Sequence, residues 1–390
     1  MYVRTLNLIL LLICSCQLTC AEKLLTPVTV EPASSEDSEI TDTGEDSETD
    51  TYPYQKSAVQ TMVGYATVDN DGNPYNFTDI FDEKAMTVTV SSIAEFDAAL
   101  NAKTDPDTAL IVLLAESDDW TAPTTEPEQL NIEGKQNVYV EGDGSAVALT
   151  GIGVRIKDSS NIVVRNLRIQ NVPTEQVDCI NVDNSQHVII DHCEVFNDKD
   201  ADRDAYDSLL DIINGSDFVT VSWNRFRDNV KGLNVGNDDI NDVDKGKQHV
   251  TWHHNYFSNI AEGFISIRFG TNHVFNNIFS IGNDLSTIAV SSRMGACVRV
   301  ELNKFDGFGK VDAENIPLRT TESGTTEDTI GYIAEIANYF GESDPGESSP
   351  TCSGDDLPPY EYLSVINSTA NLNNVLVAGK IGCVDDLPPL

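Results

Sequence analysis

The chain has 390 residues, 63 of them acidic and 24 basic, and its formal net charge is −39. This charge repels nucleic acids and anionic membrane surfaces, which excludes both as binding partners. An anionic sugar polymer would be repelled too, unless a divalent cation bridged it to an acidic site. The length suits a large core or one elongated domain built from repeats.

The first 21 residues have the pattern of a secretory signal peptide. Arg4 precedes an apolar run from Leu6 to Cys14, and small residues up to Ala21 would allow cleavage. The apolar run is shorter than the roughly 20 residues that a spanning helix needs. We therefore predict a signal peptide at residues 1–21 and a secreted, extracellular protein. An uncleaved anchor is the alternative.

The remaining cysteines and sequons suit an extracellular protein. Cleavage would leave five cysteines in an oxidising compartment. They are Cys179, Cys193, Cys297, Cys352 and Cys383. Because five is odd, at least one should remain a thiol, and Cys352 could pair with Cys383, although connectivity does not follow from sequence. Three sequons are compatible with a glycoprotein, at Asn76, Asn214 and Asn367.

Residues 22–56 are predicted to form an acidic, disordered linker. Between Glu31 and Asp50 there are nine acidic side chains and no basic one, so the segment cannot bury enough apolar surface to fold. A globular composition begins at residue 57, and we expect one domain over residues 57–390. Its first helix is predicted at Ile93 to Leu100, where it could cap the end of a repeat structure.

A nine-residue pattern recurs through the middle of the chain. Each copy has alternating β-branched or aromatic residues, then a polar pair, then an apolar residue, as expected for a strand, a bend and a second strand. The copies cover residues 161–169, 187–195, 218–226, 249–257, 271–279 and 297–305. Similar copies separated by variable loops favour successive coils of a β-solenoid over the alternative, a β-sandwich.

Two sets of polar residues recur at fixed positions of this pattern. Asparagines occupy one position in four copies, where they could bond to one another at a bend. These are Asn224, Asn255, Asn277 and Asn303. All six histidines also fall in the copies, and His187 shares a position with His249, as His192 does with His254. We interpret both sets as structural, because zinc would need a defined His/Cys tetrad.

Aspartates precede two predicted strands in successive coils. Asp178 leads into one strand, and Asp207 and Asp211 lead into the next. Carboxylates in adjacent coils suit calcium, which prefers oxygen ligands. Asp207 and Asp211 would lie about 13 Å apart on an extended strand, so one ion could join them only if the chain bends. Ordinary surface charge is the alternative in so acidic a chain.

From about Met62 to Ile381 the sequence resembles the pectate lyase superfamily of secreted polysaccharide lyases. The segments that carry the resemblance follow the family's signatures in order, at residues 149–169, 178–193, 206–226, 249–257 and 267–279. The resemblance implies an all-β, right-handed, single-stranded parallel β-helix with an N-terminal capping helix. It also implies breakdown of polygalacturonate by β-elimination, in which a base removes the C5 proton and the C4 glycosidic bond breaks.

The resemblance further implies roles for particular residues. Calcium would bind Asp178, Asp207 and Asp211 and bridge them to the uronate carboxylates of pectate, with Gln176 where some members have another acid. Three cations match substrate-contacting positions of the family: Lys231, Arg268 and Arg293. Calcium and cations would stabilise the charge that builds on the carboxylate as the proton leaves. We expect a calcium cofactor, a pectate substrate and a monomer.

The sequence departs from the family at the catalytic base. The family has an arginine in an Arg-x-Pro-x-x-Arg segment, but before Arg268 this chain has Gly263 in place of the arginine and Ile265 in place of the proline. Because glycine accepts no proton, the base would be Lys231 or a rearranged Arg268. Lysine is the better candidate, since burial or a nearby cation can lower its pKa, whereas arginine holds its proton far more tightly.

Three other functions are open. The chain could bind pectate without cutting it, because the binding residues are present while the base is not. It could be a structural or adhesive solenoid. It could also be a polygalacturonase, which hydrolyses with paired carboxylates and needs no calcium, and Asp238 with Asp239 is the adjacent acidic pair near the predicted site.

Overall fold

The computed structural model describes residues 62–75, 77, 84–122, 128–143, 147–174, 178–282, 287–308, 316–320, 329–347, 358–378 and 381–383. The predicted signal peptide (1–21) and linker (22–56) lie outside the described residues, as do Asn76, Gln176 and Cys352. The domain boundaries therefore stay predictions.

Parallel β-strands make up almost all of the regular structure. The described residues contain 25 strands, numbered β1 to β25 in chain order, which pair in parallel within three sheets. From β2 onwards, successive strands of the chain enter different sheets, so each strand's neighbour in its sheet comes from the next coil. The predicted parallel β-helix is confirmed, and a β-sandwich is wrong because its sheets would be antiparallel.

Each complete coil contributes one strand to each sheet, and the coils at the two ends contribute to fewer sheets. The ten-stranded sheet contains β1 (Met86–Val90), β2 (Leu110–Leu114), β4 (Gln136–Gly142), β7 (Ser160–Arg165), β10 (Gln186–Asp191), β13 (Asp217–Ser222), β16 (His249–His253), β19 (Thr271–Phe275), β22 (Cys297–Glu301) and β25 (Tyr332–Ile336). The eight-stranded sheet contains β3 (Glu128–Glu133), β6 (Ile152–Lys157), β9 (Ile180–Asp183), β12 (Leu210–Ile213), β15 (Leu233–Val235), β18 (Ile265–Arg268), β21 (Ile288–Arg293) and β24 (Ile316–Arg319). The seven-stranded sheet contains β5 (Ala148–Thr150), β8 (Arg168–Gln170), β11 (Glu194–Phe196), β14 (Arg225–Asn229), β17 (Tyr256–Ile260), β20 (Ile278–Ser280) and β23 (Lys304–Asp306).

The six sequence repeats form one recurring structural unit. The copy at residues 218–226, for example, runs from β13 through a bend into β14, and therefore passes from the ten-stranded to the seven-stranded sheet. Successive copies are in register, since Val219 pairs with Val250. The apolar residues that end four of the copies stack in the core: Phe226, Phe257, Phe279 and Phe305. The sequence period is thus the period of the coil.

The predicted helix near the N-terminal end is present and slightly longer than expected. Helix α1 spans Ile93–Ala102, and the Ser92 side chain caps it by accepting a hydrogen bond from the Glu95 amide at 3.3 Å. Phe96 and Leu100 on one face are buried in the main hydrophobic core. The helix therefore covers the apolar end of the coil, as predicted.

A second helix lies near the other end of the chain. Helix α2 spans Leu372–Ala378, and its Leu372 and Leu376 pack against Ile278 on the outside of the coil. Within the described residues, no helix is long and apolar enough to cross a membrane.

The predicted asparagine ladder is present at the bend between the ten-stranded and seven-stranded sheets. The side-chain oxygen of Asn255 accepts hydrogen bonds from the backbone amide of Asn224 at 2.9 Å and from its side-chain amide at 3.1 Å. The same contact joins Asn255 to Asn277 and Asn277 to Asn303. It continues one coil further to Asn338, which the repeat pattern did not include. The ladder satisfies buried backbone groups that the bend would otherwise leave unpaired.

Replacing Asn255 with alanine should destabilise the fold. We expect the free energy of unfolding to fall by roughly 2–4 kcal/mol, because the Asn224 amide and the Val221 carbonyl would both lose a buried partner. Asn131, exposed on β3, is the matched control, and Asn131→Ala should change this energy by less than about 0.5 kcal/mol. Urea denaturation measures both variants, and equal midpoints would contradict the structural role of the ladder.

The histidines occupy structural positions, as predicted. His187 and His249 stack against Phe218, with ring centroids 5.0 and 5.4 Å away. His192 and His254 stack against Trp223 in the same way. The shared repeat positions are therefore columns of stacked rings, which explains their recurrence without a metal ion.

The cysteines differ from the expected pairing. Cys297 is disulfide-bonded. Cys383 is a thiol whose sulfur lies 3.3 Å from a backbone oxygen, so the pairing of Cys352 with Cys383 is wrong. Cys179 and Cys193 are buried thiols, as the odd number of cysteines required, and burial raises the pKa of both. They fill the core as small apolar side chains.

Two of the three sequons lie within the described residues. The side-chain amide of Asn214 donates to Asp183 at 2.8 Å. That of Asn367 donates to the backbone oxygen of Val365 at 2.8 Å and lies 3.0 Å from the His254 ring. A glycan at either site would have to displace these contacts, and glycosylation stays a prediction.

Candidate active site

The outer face of the eight-stranded sheet carries a line of polar side chains. Residues in its strands alternate between core and surface, as in β12, where Leu210 and Ile212 are buried and Asp211 is half-buried. The register aligns the outward residues of successive coils. From β6 to β24 this alignment, here named the polar column, contains Arg155, Asn181, Asp211, Asn234, Ser266, Ser291 and Arg319.

A cleft of about 310 Å³ opens beside the polar column. Its walls come from the strands of the sheet and from the turns that lead into them. It is lined by Asp207, Ser208, Lys231, Gly232, Leu233, Asn234, Glu262, Gly263, Ile265, Ser266, Ile288, Ser291 and Arg319. The cleft therefore brings together Asp207 and Lys231 of the predicted site, while Arg268 and Arg293 are not among its lining residues.

Lys231 and Gly263 are neighbours in successive coils. Each lies two residues before a member of the pair Leu233 and Ile265, and both line the cleft. Gly263 has a φ of +129°, a conformation that strongly favours glycine. A Cβ at this position would meet only the backbone oxygen of Ile288, at 3.6 Å. The cleft has room for a side chain there, but the backbone does not suit one.

The three predicted metal-binding aspartates act on one another electrostatically. Asp178 is 2% exposed, and its Oδ2 accepts a hydrogen bond from Asn181 at 2.7 Å, while its Oδ1 has no partner among the described residues. Burial, followed by the negative charge of Asp211, raises the pKa of Asp178. Burial also raises the pKa of Asp211, and the charge of Asp207 adds to that effect. The three carboxylates are thus close enough to repel one another.

The ammonium of Lys231 lies among carboxylates. Its nitrogen is 3.3 Å from Asp207 and 3.8 Å from Asp204. Two acidic side chains thus face this ammonium in the folded chain. Because Asp207 is also a predicted metal ligand, the lysine and a cation would compete for the same carboxylate.

Arg268 and Arg293 share one carboxylate. They are paired neighbours in β18 and β21, and Asp239, in the loop after β15, lies between them. The Arg268 Nε donates to one oxygen of Asp239 at 2.8 Å, and Arg293 donates to the other. Partial burial raises the pKa of Asp239, but the hydrogen bond from Arg268 and the charge of Arg293 outweigh it and hold the pKa below its usual range. Each guanidinium is therefore partly neutralised.

Comparison with known proteins identifies the family. A sequence profile described as pectate lyase matches residues 54–328, more than half of the chain. The chain belongs to the pectate lyase family. Pectate lyase A of Emericella nidulans is 38% identical over 255 residues, which cover 65% of this chain and 69% of that protein. A pectate trisaccharide-lyase of Bacillus licheniformis is 33% identical over 294 residues, which cover 75% of this chain and 79% of that protein.

Solved pectate lyase structures have the same fold. A Bacillus pectate lyase in complex with trigalacturonate gives a TM-score of 0.66 at 24% identity and covers 83% of this chain and 100% of that chain. Pectate lyase II of Xanthomonas campestris gives a TM-score of 0.63 at 20% identity and covers 84% of this chain and 99% of that chain. The predicted superfamily and the parallel β-helix are confirmed, and so is the class of polysaccharide lyase at the level of the family.

Calcium is the cofactor that pectate lyases imply, and the aspartate end of the cleft has the donor chemistry for it. Asp178, Asp207 and Asp211 offer hard oxygen ligands. The partnerless Oδ1 of Asp178 and the repulsion among the acids are both features that a cation would relieve. As they stand, no three acidic, histidine or cysteine side chains of the described residues are grouped to hold a metal ion. An ion would therefore need further oxygens, such as those of a bound uronate.

The polygalacturonase alternative is not supported for this pectate lyase relative. It required Asp238 and Asp239 to act as an acid and base pair. Asp239 is held as a carboxylate by two arginines, so it is a poor proton donor. Asp238 instead accepts a hydrogen bond from the Ile240 amide in an exposed turn. The pair therefore lacks the arrangement that acid and base hydrolysis needs.

Two charged groups that line the cleft and one contact beside it escaped the sequence analysis. The contact of Asp239 with both arginines depends on the path of a loop, which no pattern predicts. Arg319 would have been found only by counting outward positions from Ser291 through the next coil. Glu262 lines the cleft and is joined by two hydrogen bonds to Arg203 on another loop. Long-range pairs of this kind carry no local sequence signal.

Proposed function

We propose that the protein is a calcium-dependent pectate lyase that cleaves polygalacturonate by β-elimination with Lys231 as its base. The position of Lys231 carries this proposal, because it lies one coil from Gly263 in the same cleft. Relatives that are 38% and 33% identical are a pectate lyase and a pectate trisaccharide-lyase. Secretion accords with the predicted signal peptide and with an extracellular polysaccharide substrate.

The reaction starts with removal of the uronate C5 proton. In the proposed mechanism the neutral amine of Lys231 accepts that proton. The electron pair of the C5–H bond forms a double bond between C4 and C5, and the bond from C4 to the glycosidic oxygen breaks. That oxygen takes up a proton, which leaves one saturated chain and one chain ending in an unsaturated uronide. Release of Lys231 from its ion pair with Asp207 is what would let it lose its own proton.

Arg268 and Arg293 are proposed to bind substrate carboxylates. Arg268 is the second candidate for the base, but its ion pair with Asp239 and its hydrogen bond to the Gly236 carbonyl oppose that role. Arginine also retains its proton much more strongly than lysine. We therefore assign Arg268 to binding.

Asp178, Asp207 and Asp211 are proposed to hold the calcium ion. When bound, calcium would neutralise these carboxylates and stabilise the negative charge that develops on the uronate. The chain itself orients the ligands, since Asn181 donates to Asp178 at 2.7 Å and Asn234 donates to Asp211 at 2.8 Å.

Ultraviolet absorbance of unsaturated uronides tests the proposed activity. Protein lacking residues 1–21 is incubated with polygalacturonate in calcium and then with a chelator, beside an active pectate lyase. Product that forms with calcium and stops with the chelator is the expected result. Absorbance at the level of buffer, with the control enzyme active, would contradict lyase activity.

A pectate-binding protein without lyase activity is the second candidate. Gly263 favours it, because φ of +129° opposes the family's arginine, and so does the ion pair that Lys231 makes with Asp207. Calcium-dependent retention on immobilised pectate without any product would identify this function. Absence of retention would favour a structural or adhesive solenoid instead.

Replacing Asp239 with asparagine should strengthen pectate binding. The change removes the carboxylate that Arg268 and Arg293 share and frees both for substrate. Because such partly exposed pairs are weak, we expect KM to fall about two- to fivefold at low salt. Asp242→Asn, on the same loop but paired with Lys245, is the control and should leave KM unchanged. A higher KM for Asp239→Asn would show that Asp239 positions the arginines for binding.

A further inference from the structure

Among the residues that the structure describes, Arg319 is the cation of the cleft that has no acidic partner. Each other cation on the outer face of the eight-stranded sheet is ion-paired. These cations are Arg155, Lys157, Lys231, Arg268 and Arg293. Arg319 makes no ion pair or side-chain hydrogen bond with any residue that the structure describes. In a chain with 63 acidic and 24 basic residues, an arginine left without an acid in a cleft needs an explanation.

The position of Arg319 places it at one end of the polar column. It lies in β24, which is four strands along the sheet from β12 and its Asp211. Four strand spacings correspond to roughly 19 Å. The Arg319 side chain is partly buried and lines the same cleft as Lys231 and Gly263. The cleft thus has Asp207 at one end, next to Asp211 of the polar column, and at the other end an arginine without an acidic partner among the described residues.

The side chains between these ends leave the path open to an anion. Ser266 and Ser291 occupy the polar column between Asn234 and Arg319. Neither serine is charged, and the carboxylate of Glu262, which also lines the cleft, is already paired with Arg203. A guanidinium in such a place recognises a carboxylate through two parallel hydrogen bonds.

We propose that Arg319 binds a uronate carboxylate of the same pectate chain whose reacting end lies near Asp211 and Lys231. A polyanion along the cleft would then be held at two separate points. Arg319 would give the cleft a preference for long oligomers, because a short one held at the aspartate end does not extend to β24. This assignment rests on the proposed function, since it takes pectate as the polymer.

Affinities for oligomers of two lengths test the assignment. Dissociation constants for hexagalacturonate and digalacturonate are measured in calcium for the unmodified protein, Arg319→Ala and Arg319→Lys. We expect Arg319→Ala to weaken hexagalacturonate binding about tenfold or more, as loss of a charge-assisted contact does, and to leave digalacturonate binding unchanged. Arg319→Lys keeps the positive charge but cannot form two parallel hydrogen bonds. Its affinity for hexagalacturonate should therefore lie between those of the unmodified protein and Arg319→Ala. Arg225→Ala, on the seven-stranded sheet, is the control and should change neither constant.

The outcomes separate this assignment from the proposed function. An unchanged hexagalacturonate affinity in Arg319→Ala, with the unmodified protein binding well, would overturn the role of Arg319 alone. Equal weakening for both lengths would overturn it too, because a contact at one end cannot affect an oligomer that does not extend to it. If the unmodified protein binds neither oligomer, the proposed function fails and this assignment fails with it.

Discussion

Lys231→Ala should lower kcat on polygalacturonate by about 10²- to 10⁴-fold, the usual contribution of a general base. The expectation follows from the neighbouring positions of Lys231 and Gly263, which leave the lysine as the basic group at the place where pectate lyases have an arginine. The initial rate of ultraviolet absorbance gives kcat and KM for both proteins. Wild-type activity in Lys231→Ala would remove Lys231 from the mechanism.

Two further variants separate a base from a binding cation. Lys231→Arg keeps the positive charge but holds its proton more tightly, so we expect it to retain substrate affinity and lose turnover. Full turnover in Lys231→Arg would mean that position 231 needs only a cation. Lys245→Ala removes a lysine that pairs with Asp242 outside the cleft, and it should leave both constants unchanged.

The fold was predictable because the sequence repeats with the period of the coil. Each copy of the pattern forms one pair of strands with its apolar residues. The pattern that predicts one coil therefore also predicts the coils next to it. The asparagine ladder followed from the same logic, since one repeat position must satisfy one bend in every coil. Asn338 lies in a further copy at residues 332–340, where Asn338 and Phe340 match Asn303 and Phe305, but the sequence analysis overlooked that copy.

The cleft was predictable only in part, because the residues that decide its charge come from loops. The turns before β12 and β15 place Asp207 and Lys231 by simple register, and the family motifs mark both. The loop after β15 instead brings Asp239 to the two arginines. No periodic signal describes the path of a loop, so the compensation of those arginines appears only in the structure.

Asp178→Asn should abolish lyase activity and, without calcium, make the protein more stable. The pKa of Asp178 is raised by burial and then by the charge of Asp211, so the folded state binds protons more readily than the unfolded chain. An aspartate in the unfolded chain ionises near pH 4. In chelator, the free energy of unfolding should therefore fall as the pH rises from about 4 towards the raised pKa of Asp178 in the folded state. Asp178→Asn, which removes the ionisable group, should raise the free energy of unfolding by roughly 1–3 kcal/mol at pH 8 and by much less at pH 5.

Thermal unfolding with calcium and with chelator shows whether Asp178 binds the metal ion or only destabilises the fold as a buried carboxylate. The unmodified protein should gain stability on adding calcium, and more at pH 8 than at pH 5, because ionised carboxylates bind the ion. Asp178→Asn should lose that gain together with its activity, whereas Asp158→Asn, exposed on the coil surface, should keep both. If Asp178→Asn is stabilised in chelator yet still responds fully to calcium, the buried acid is a source of strain and the ion binds elsewhere. If it is destabilised at both pH values, the carboxylate supports the fold through its contact with Asn181, and the repulsion inferred from its raised pKa is outweighed.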